Sequence, residues 1–270
     1  MIRLEAGDAV AEVDAEHGGR LARLAVGDVD VLRRRYDETG RERGVHEWGC
    51  FPMVPWSGRL GDGRLRFAGT EHRFPLNHPP HAIHGTTPGL PWEDHGHDST
   101  SAALGVELGP HWPFGGTALH RLLLTPAGLR LTLEVHAADV PMPAGCGWHP
   151  WFRRDIHAGE PLDLRFSPGA MYRRGADGLP TGELVAPPPG PWDDCFRDLA
   201  GPPTVDWPGA LRLTLDASCD HWVVFDEPLD AVCVEPQTGP PNGLNTNPLV
   251  VEPGAPLTAS LSIRWDVATR

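Results

Sequence analysis

Two residues of the chain sit in surroundings suited to proton transfer. Glu235 follows the short apolar run Ala231 to Val234. It is followed at once by Pro236-Gln237-Thr238-Gly239-Pro240-Pro241-Asn242. A strand end that presents a single carboxylate to a Pro- and Gly-rich loop holds an acid–base group at a cleft mouth. His149 stands in Gly147-Trp148-His149-Pro150-Trp151-Phe152, between two Trp and fixed by the proline after it. An imidazole among aromatic rings has its proton affinity tuned by them and can face a sugar ring. The alternative reading is a buried core histidine.

Three other loop-rich clusters gather polar groups. In Pro55-Trp56-Ser57-Gly58-Arg59 an aromatic face stands near a fork of five donors, a combination suited to hydroxyl groups. Asn77-His78-Pro79-Pro80-His81-Ala82-Ile83-His84-Gly85 holds three His in seven residues. The proline pair forbids the regular helix that would set His81 and His84 as metal ligands, so these His either cap loops or contact a ligand. Gly85 would let a ligand approach the backbone beside His84. Trp192-Asp193-Asp194-Cys195-Phe196 places two carboxylates after a Pro/Gly stretch. They mark a solvated turn, or one of them accepts hydrogen bonds from a ligand.

The elements that must position these groups read as strands. Periodicity, where present, is of period two. Ala9 to Val13, Leu211 to Leu215, His221 to Phe225 and Leu257 to Val267 alternate or run apolar. Gly63 to Gly69 pairs with Thr70 to Phe74. Leu119 to Thr125, the turn Pro126-Ala127-Gly128 and Leu129 to His136 form the clearest hairpin. The 32 Gly and 30 Pro punctuate the chain too often for long helices. The expected fold is all-β: a large antiparallel β-sandwich with very little helix, as one domain over residues 1–270, with Pro187 to Pro191 as a surface loop.

Net charge is −13, which disfavours nucleic acid or an anionic membrane as partner. The five Cys are scattered and form no C-x-x-C, so free thiols in a reducing cytoplasm are expected. No segment approaches the roughly 20 apolar residues of a membrane span, and Met1 to Ala6 carries no signal-peptide pattern.

The order of the clusters resembles the aldose 1-epimerases (galactose mutarotase-like proteins). That family shows "P..NR", "HG", "HP.F", "D..F" and "EPQT" in turn. The chain has Pro55 to Arg59, His84-Gly85, His149-Pro150-Trp151-Phe152, Asp193 to Phe196 and Glu235-Pro236-Gln237-Thr238. It departs at Gly58, where the family commonly has Asn. The resemblance implies a mutarotase that interconverts hexose anomers without cofactor or metal. Glu235 would be the general base and His149 the general acid. Arg59, His84, Asp193 and Trp151 would contact the sugar, with Asp193 preferred to Asp194 because it lies three residues before Phe196. A small-molecule sugar is the expected partner, and a monomer or weak dimer the expected state. Work at neutral pH requires a raised imidazole pKa, which a neighbouring Glu235 would supply against desolvation by Trp148 and Trp151.

Rival readings have specific requirements. A cupin-type metal enzyme would use His95-Gly96-His97 but lacks a Glu at short spacing. A non-catalytic sugar-binding module has no need of both His149 and Glu235. An epimerase of phosphorylated or sulfonated hexoses needs a basic pocket, for which Arg153-Arg154 and Arg173-Arg174 are the candidates.

Overall fold

A computed structural model describes residues 1–268 of the 270-residue chain. Its two large sheets have eleven and eight strands, and every strand pairing within them is antiparallel. In the larger sheet the central strands run, in spatial order, Cys50–Met53, Gly147–Arg153, Ala231–Gln237, His221–Phe225, Asp193–Leu199 and Pro168–Arg174. The smaller sheet is built around Thr117–Thr125, Gly128–His136 and Leu257–Val267. Among the described residues the one α-helix is the single turn Gly243–Thr246.

Alternation explains which side chains go where. Leu129, Leu131, Leu133 and Val135 all point inward, and Leu131 is paired with Leu261 on the next strand. They share one buried cluster with Trp148, Phe152, Val232 and Val234 of the larger sheet. This is the seam between the sheets. The odd-numbered neighbours Trp151, Ala231 and Cys233 point the other way and form a second cluster with Phe51 and Met53. The larger sheet is therefore covered on both faces at its centre. That is why Ala231–Gln237 is buried at every position and reads as a near-continuous apolar run.

The hairpins fall close to where the pattern places them. Thr117–Thr125 and Gly128–His136 are joined by Pro126-Ala127 alone, because Gly128 already pairs with Thr125. The expected end of the Glu235 strand is wrong. The strand continues through Pro236, opposite Trp222, to Gln237, opposite His221. Glu235 is thus held inside a strand. Proline is tolerated there because the ladder toward the His149 strand is interrupted. Gly147 pairs with Gln237 and Trp151 with Cys233, but between them Pro150 and Pro236 offer no N–H. Trp56 presents no open aromatic face, only an edge of a cavity that Arg59 also borders. It is 3% exposed and packs edge-on to Phe74 and against Trp112 in the inter-sheet core.

Candidate active site

The outer face of the larger sheet carries a cavity of about 510 Å³ lined by His149, Glu235, Arg59, His84, Asp193 and Trp151. All six residues singled out in the sequence meet there. The flanking register places His149 and Glu235 opposite each other on neighbouring strands. His149 Nε2 lies 3.3 Å from Glu235 Oε1, and the two residues are 5% and 2% exposed.

The imidazole is held by stacking. Phe51 and Trp151 both lie nearly parallel to it, with ring centroids at 4.8 and 5.2 Å. Each of these rings carries a guanidinium in turn. Arg33 Cζ is 4.1 Å from the Trp151 centroid, and Arg20 Cζ is 5.1 Å from that of Phe51. Trp151 is anchored by its Nε1–H, which donates to the His46 carbonyl at 2.8 Å. Trp148 faces the inter-sheet core and donates to His120 Nε2 at 3.1 Å, so only Trp151 of the flanking pair touches the site. Arg20 is fully buried and donates to the carbonyls of His17, Trp48 and Pro88 at 2.6, 3.0 and 3.0 Å. Burial lowers its pKa to about 9.

Arg59 and His84 are delivered together by a two-stranded ribbon in which Arg59 pairs with Ile83. Asn77 braces the ribbon from outside, its side chain bonding both N and O of Ile83 at 2.8 and 3.1 Å. His84 adopts φ +61, uncommon for a residue with a side chain, and its ring meets His149 edge-on at 4.8 Å. Gly85 serves a different purpose from the expected one. A Cβ there would lie 1.8 Å from the Val54 carbonyl, so the glycine lets two protein backbones meet. His81 is a loop staple, accepting from Asp62 N at 3.1 Å and donating to Asp177 O at 2.7 Å.

Asp193 faces the cavity. Its Oδ2 accepts from Arg59 Nη2 at 2.7 Å and from Arg174 Nη1 at 3.2 Å. Asp194, on the opposite side of the strand by alternation, pairs with Arg174 Nε at 3.3 Å. Gly58 has φ +63, and a Cβ on it would come 3.0 Å from Pro241 Cγ. The departure from the family's Asn thus coincides with a tight approach of the Pro240-Pro241 loop.

Burial pushes the members of the central pair in opposite directions, each toward its neutral form. It holds the Glu235 carboxyl well above the usual range, with Asp193 adding to the effect and Arg59 opposing it. It holds the His149 imidazole well below its usual value, with His46, Arg20 and Arg33 adding. Of the two opposing influences expected on the imidazole, desolvation outweighs the carboxylate. A desolvated ring near three groups that disfavour a further positive charge gains less from one carboxylate than it loses by leaving water. His84 is lowered in the same way, chiefly by burial and then by His149. Neither His84 Nδ1 nor His149 Nδ1 has a hydrogen-bond partner among the described residues.

Sequence reasoning missed His46 and Phe225, which also line the cavity; His78, from the three-His cluster, lines it too. His46 is pushed down to about 4, chiefly by burial. Its signal was slight: one polar triplet, His46-Glu47-Trp48, in a glycine-flanked loop. The rival motifs lie elsewhere, apart from Arg174, which bonds Asp193. His95 and His97 stand on the exposed edge strand Glu93–His97. Arg154 is spent on the carbonyls of Pro228 and Asp226, and Arg173 on Glu183. As donors for a metal, His149, Cys233 and Glu235 come within 4.8 Å of one another. Burial holds the Cys233 thiol well above its usual pKa.

A doubly covered antiparallel sandwich with a buried carboxylate–imidazole pair on its outer face defines a galactose mutarotase-like fold. A family model described as Aldose 1-epimerase matches residues 1–199, and the chain belongs to that family. The Glu235 strand lies outside the matched span. Solved structures with the same fold include one of a putative aldose 1-epimerase from Escherichia coli K12, 19% identical with a TM-score of 0.83 and 98% of both chains covered. Another is of a galactose mutarotase-like protein from Clostridium acetobutylicum, 18% identical, TM-score 0.86, covering 98% of this chain and 94% of that one. A third is of galactose 1-epimerase from Lactobacillus acidophilus NCFM, 16% identical, TM-score 0.81, covering 99% and 94%. The Escherichia coli K12 protein described as Uncharacterized protein YphB is 31% identical over 119 residues, which is 42% of this chain. The match spans about two-fifths of that relative's length, 40%.

Proposed function

We propose that the chain is an aldose 1-epimerase that interconverts the α and β anomers of a hexose. The observation that carries this reading is the 3.3 Å separation of Glu235 Oε1 and His149 Nε2 on the floor of the cavity. Mutarotation acts on two oxygens attached to one carbon, and two adjacent proton-transfer groups match that demand. Glu235 takes the proton of the C1 hydroxyl. The C1–O5 bond breaks with its electron pair moving to O5, which takes a proton from His149, and C1 becomes a carbonyl. Rotation about C1–C2 presents the other carbonyl face; O5 then attacks C1 as His149 takes back the O5 proton and Glu235 returns its proton to the C1 oxygen. Each positioned proton-transfer group contributes about 10²–10⁴ in rate.

The pair needs one shared proton, held as carboxylate and imidazolium when it acts. Both groups are desolvated, so its protons are lost in steps that belong to the pair and not to either residue. The nearby charge of Arg59 and hydrogen bonds from sugar hydroxyls favour the carboxylate form once substrate is bound. Arg59 and Asp193 anchor hydroxyls, Trp151 contacts the sugar, and His84, neutral by burial, serves as a hydrogen-bond partner. The chemistry calls on no metal. A phosphorylated or sulfonated sugar is not favoured: Arg174, which reaches the site, is paired with Asp193 and Asp194, Arg173 is paired with Glu183, and Arg153 and Arg154 are bonded to backbone carbonyls. Among the described residues no helix is long and apolar enough to cross a membrane. The five buried free thiols suit a reducing compartment, and we place the enzyme in the cytoplasm.

The test is NMR of anomer interconversion over D-glucose, D-galactose, L-arabinose and glucose 6-phosphate, with and without EDTA. A neutral aldose should equilibrate faster than the spontaneous rate, unaffected by chelation. No acceleration for any sugar removes the reading.

A further inference from the structure

A second cavity, of about 300 Å³, opens on the same sheet face one step further along the strands. The cross-strand pair Val223 and Glu235 belongs to the first cavity; the next pair on that face is His221 and Gln237, of which His221 borders the second. His221 there is the middle member of a chain. Its Nδ1 is 2.7 Å from Asp220 Oδ1, and its Nε2 is 3.1 Å from the Tyr172 hydroxyl. The two rings stack with centroids 5.7 Å apart. A carboxylate on Nδ1 fixes the N–H at that nitrogen, so Nε2 accepts the Tyr172 O–H. The Tyr172 oxygen keeps its lone pairs for another donor. Arg197 uses Nε on Asp198 Oδ1 at 3.2 Å, which leaves its terminal amino groups as donors near that hydroxyl.

The charge pattern narrows the ligand. An anion would gain from Arg197 but would meet the Asp220 carboxylate, which also lines the cavity. Donors and acceptors side by side suit groups that both donate and accept, which means hydroxyls. Leu244 and Leu249 add an apolar wall of the kind that covers the C–H face of a ring. Arg59 borders both cavities, and its ion pair with Asp193 at 2.7 Å forms the divide between them.

We propose that the Tyr172–His221 cavity is an accessory site for a neutral pyranose ring, separate from the Glu235–His149 cavity. Its occupant is either a free sugar or the second unit of an oligosaccharide whose reducing end lies at Glu235.

The experiment is a titration with methyl β-D-galactopyranoside and with lactose, followed by ¹⁵N signals of the His221 and His149 imidazoles. The His221 signals are expected to move with both sugars. Tyr172→Phe and Arg197→Met should each weaken the affinity read at His221 roughly tenfold, the effect of one lost hydrogen bond, and leave the His149 response intact. Lactose binding read at both rings with one shared affinity, tighter than that of the methyl glycoside, identifies an oligosaccharide. Two separate affinities identify free sugars. A His221 response with a silent His149 keeps the accessory site and removes the epimerase reading. A silent His221, or affinities unchanged in both variants, overturns the accessory site.

Discussion

The guanidinium carbon of Arg33 lies 4.1 Å from the centroid of the Trp151 ring, the ring that stacks on His149. Arg33 is also paired with Asp230, so it is fixed in that position. The charged and titratable groups around His149 are Glu235 on the next strand, His84 and His46 from the covering loops, Cys233 beneath, and the cations Arg20 and Arg33 beyond the flanking rings. Removing Arg33 takes away one of the cations that disfavour imidazolium. The His149 titration midpoint, read by NMR, is expected to move upward in Arg33→Gln and to stay in place in Arg33→Lys. A downward shift in Arg33→Gln would show that the ring-borne cation does not act on His149.

Glu235→Gln should lower turnover by about 10²–10⁴, because the amide keeps its hydrogen bonds but cannot take a proton. Sugar affinity should remain close to that of the parent. The same change should stabilise the fold. The folded-state carboxyl pKa lies above its unfolded value, so the neutral acid's contribution is present below the unfolded value and lost as pH rises through the folded one. The Gln variant should therefore gain on the parent as pH rises, read as a higher Tm. Thermal melts at pH 4 and pH 8 check it, the gain being expected only at the higher value.

His149→Asn should also lose about 10²–10⁴ in turnover, and the double variant with Glu235→Gln should lose less than the product of the two. The parent's pH profile should be bell-shaped, with limbs belonging to the coupled pair. His149 contributes to stability with the opposite sign to Glu235. Its folded pKa is depressed, so the neutral ring's contribution is full above the unfolded value and is lost as pH falls through the folded one. A rate flat from about pH 4 to pH 9, a range bracketing the reference values of both groups, would show that other groups move the protons.

Gly58→Asn restores the residue common in the related epimerases. Asn tolerates a positive φ, but its Cβ would press on Pro241 at 3.0 Å. The expected cost is about 1 kcal/mol or more, relieved in the pair Gly58→Asn, Pro241→Gly. Urea melts of the single and double variants measure it. Equal stability of parent and single variant would show that the Pro241 loop yields freely.

Much of this was legible in the sequence, for identifiable reasons. Leu129 to Val135 and His221 to Phe225 announce themselves because one face or both are buried, which leaves a pattern of period two or a solid apolar run. His149 and Glu235 stood out because each is a lone titratable group in an apolar strand. Reading stopped short where position depends on distant chain. Trp56 and Trp148 look like binding-site aromatics, yet strand parity and the Phe74–Trp112 packing turn them into the core. His46 reaches the site only because Trp151 hydrogen-bonds its carbonyl, a contact across 105 positions. The direction of the His149 shift follows chiefly from burial; His46, Arg20 and Arg33 add to it, and nothing local to His149 announces those three.

The division of labour between sheet and loops has a consequence for how such a protein diversifies. His149 and Glu235 belong to two adjoining interior strands of the larger sheet, while Arg59, His84 and His46 hang from connections laid over it. Reworking the overlying segments can trade one ligand for another and leave the buried His149–Glu235 pair undisturbed. A lineage carrying this architecture can thus drift in what it recognises long before it loses what it does.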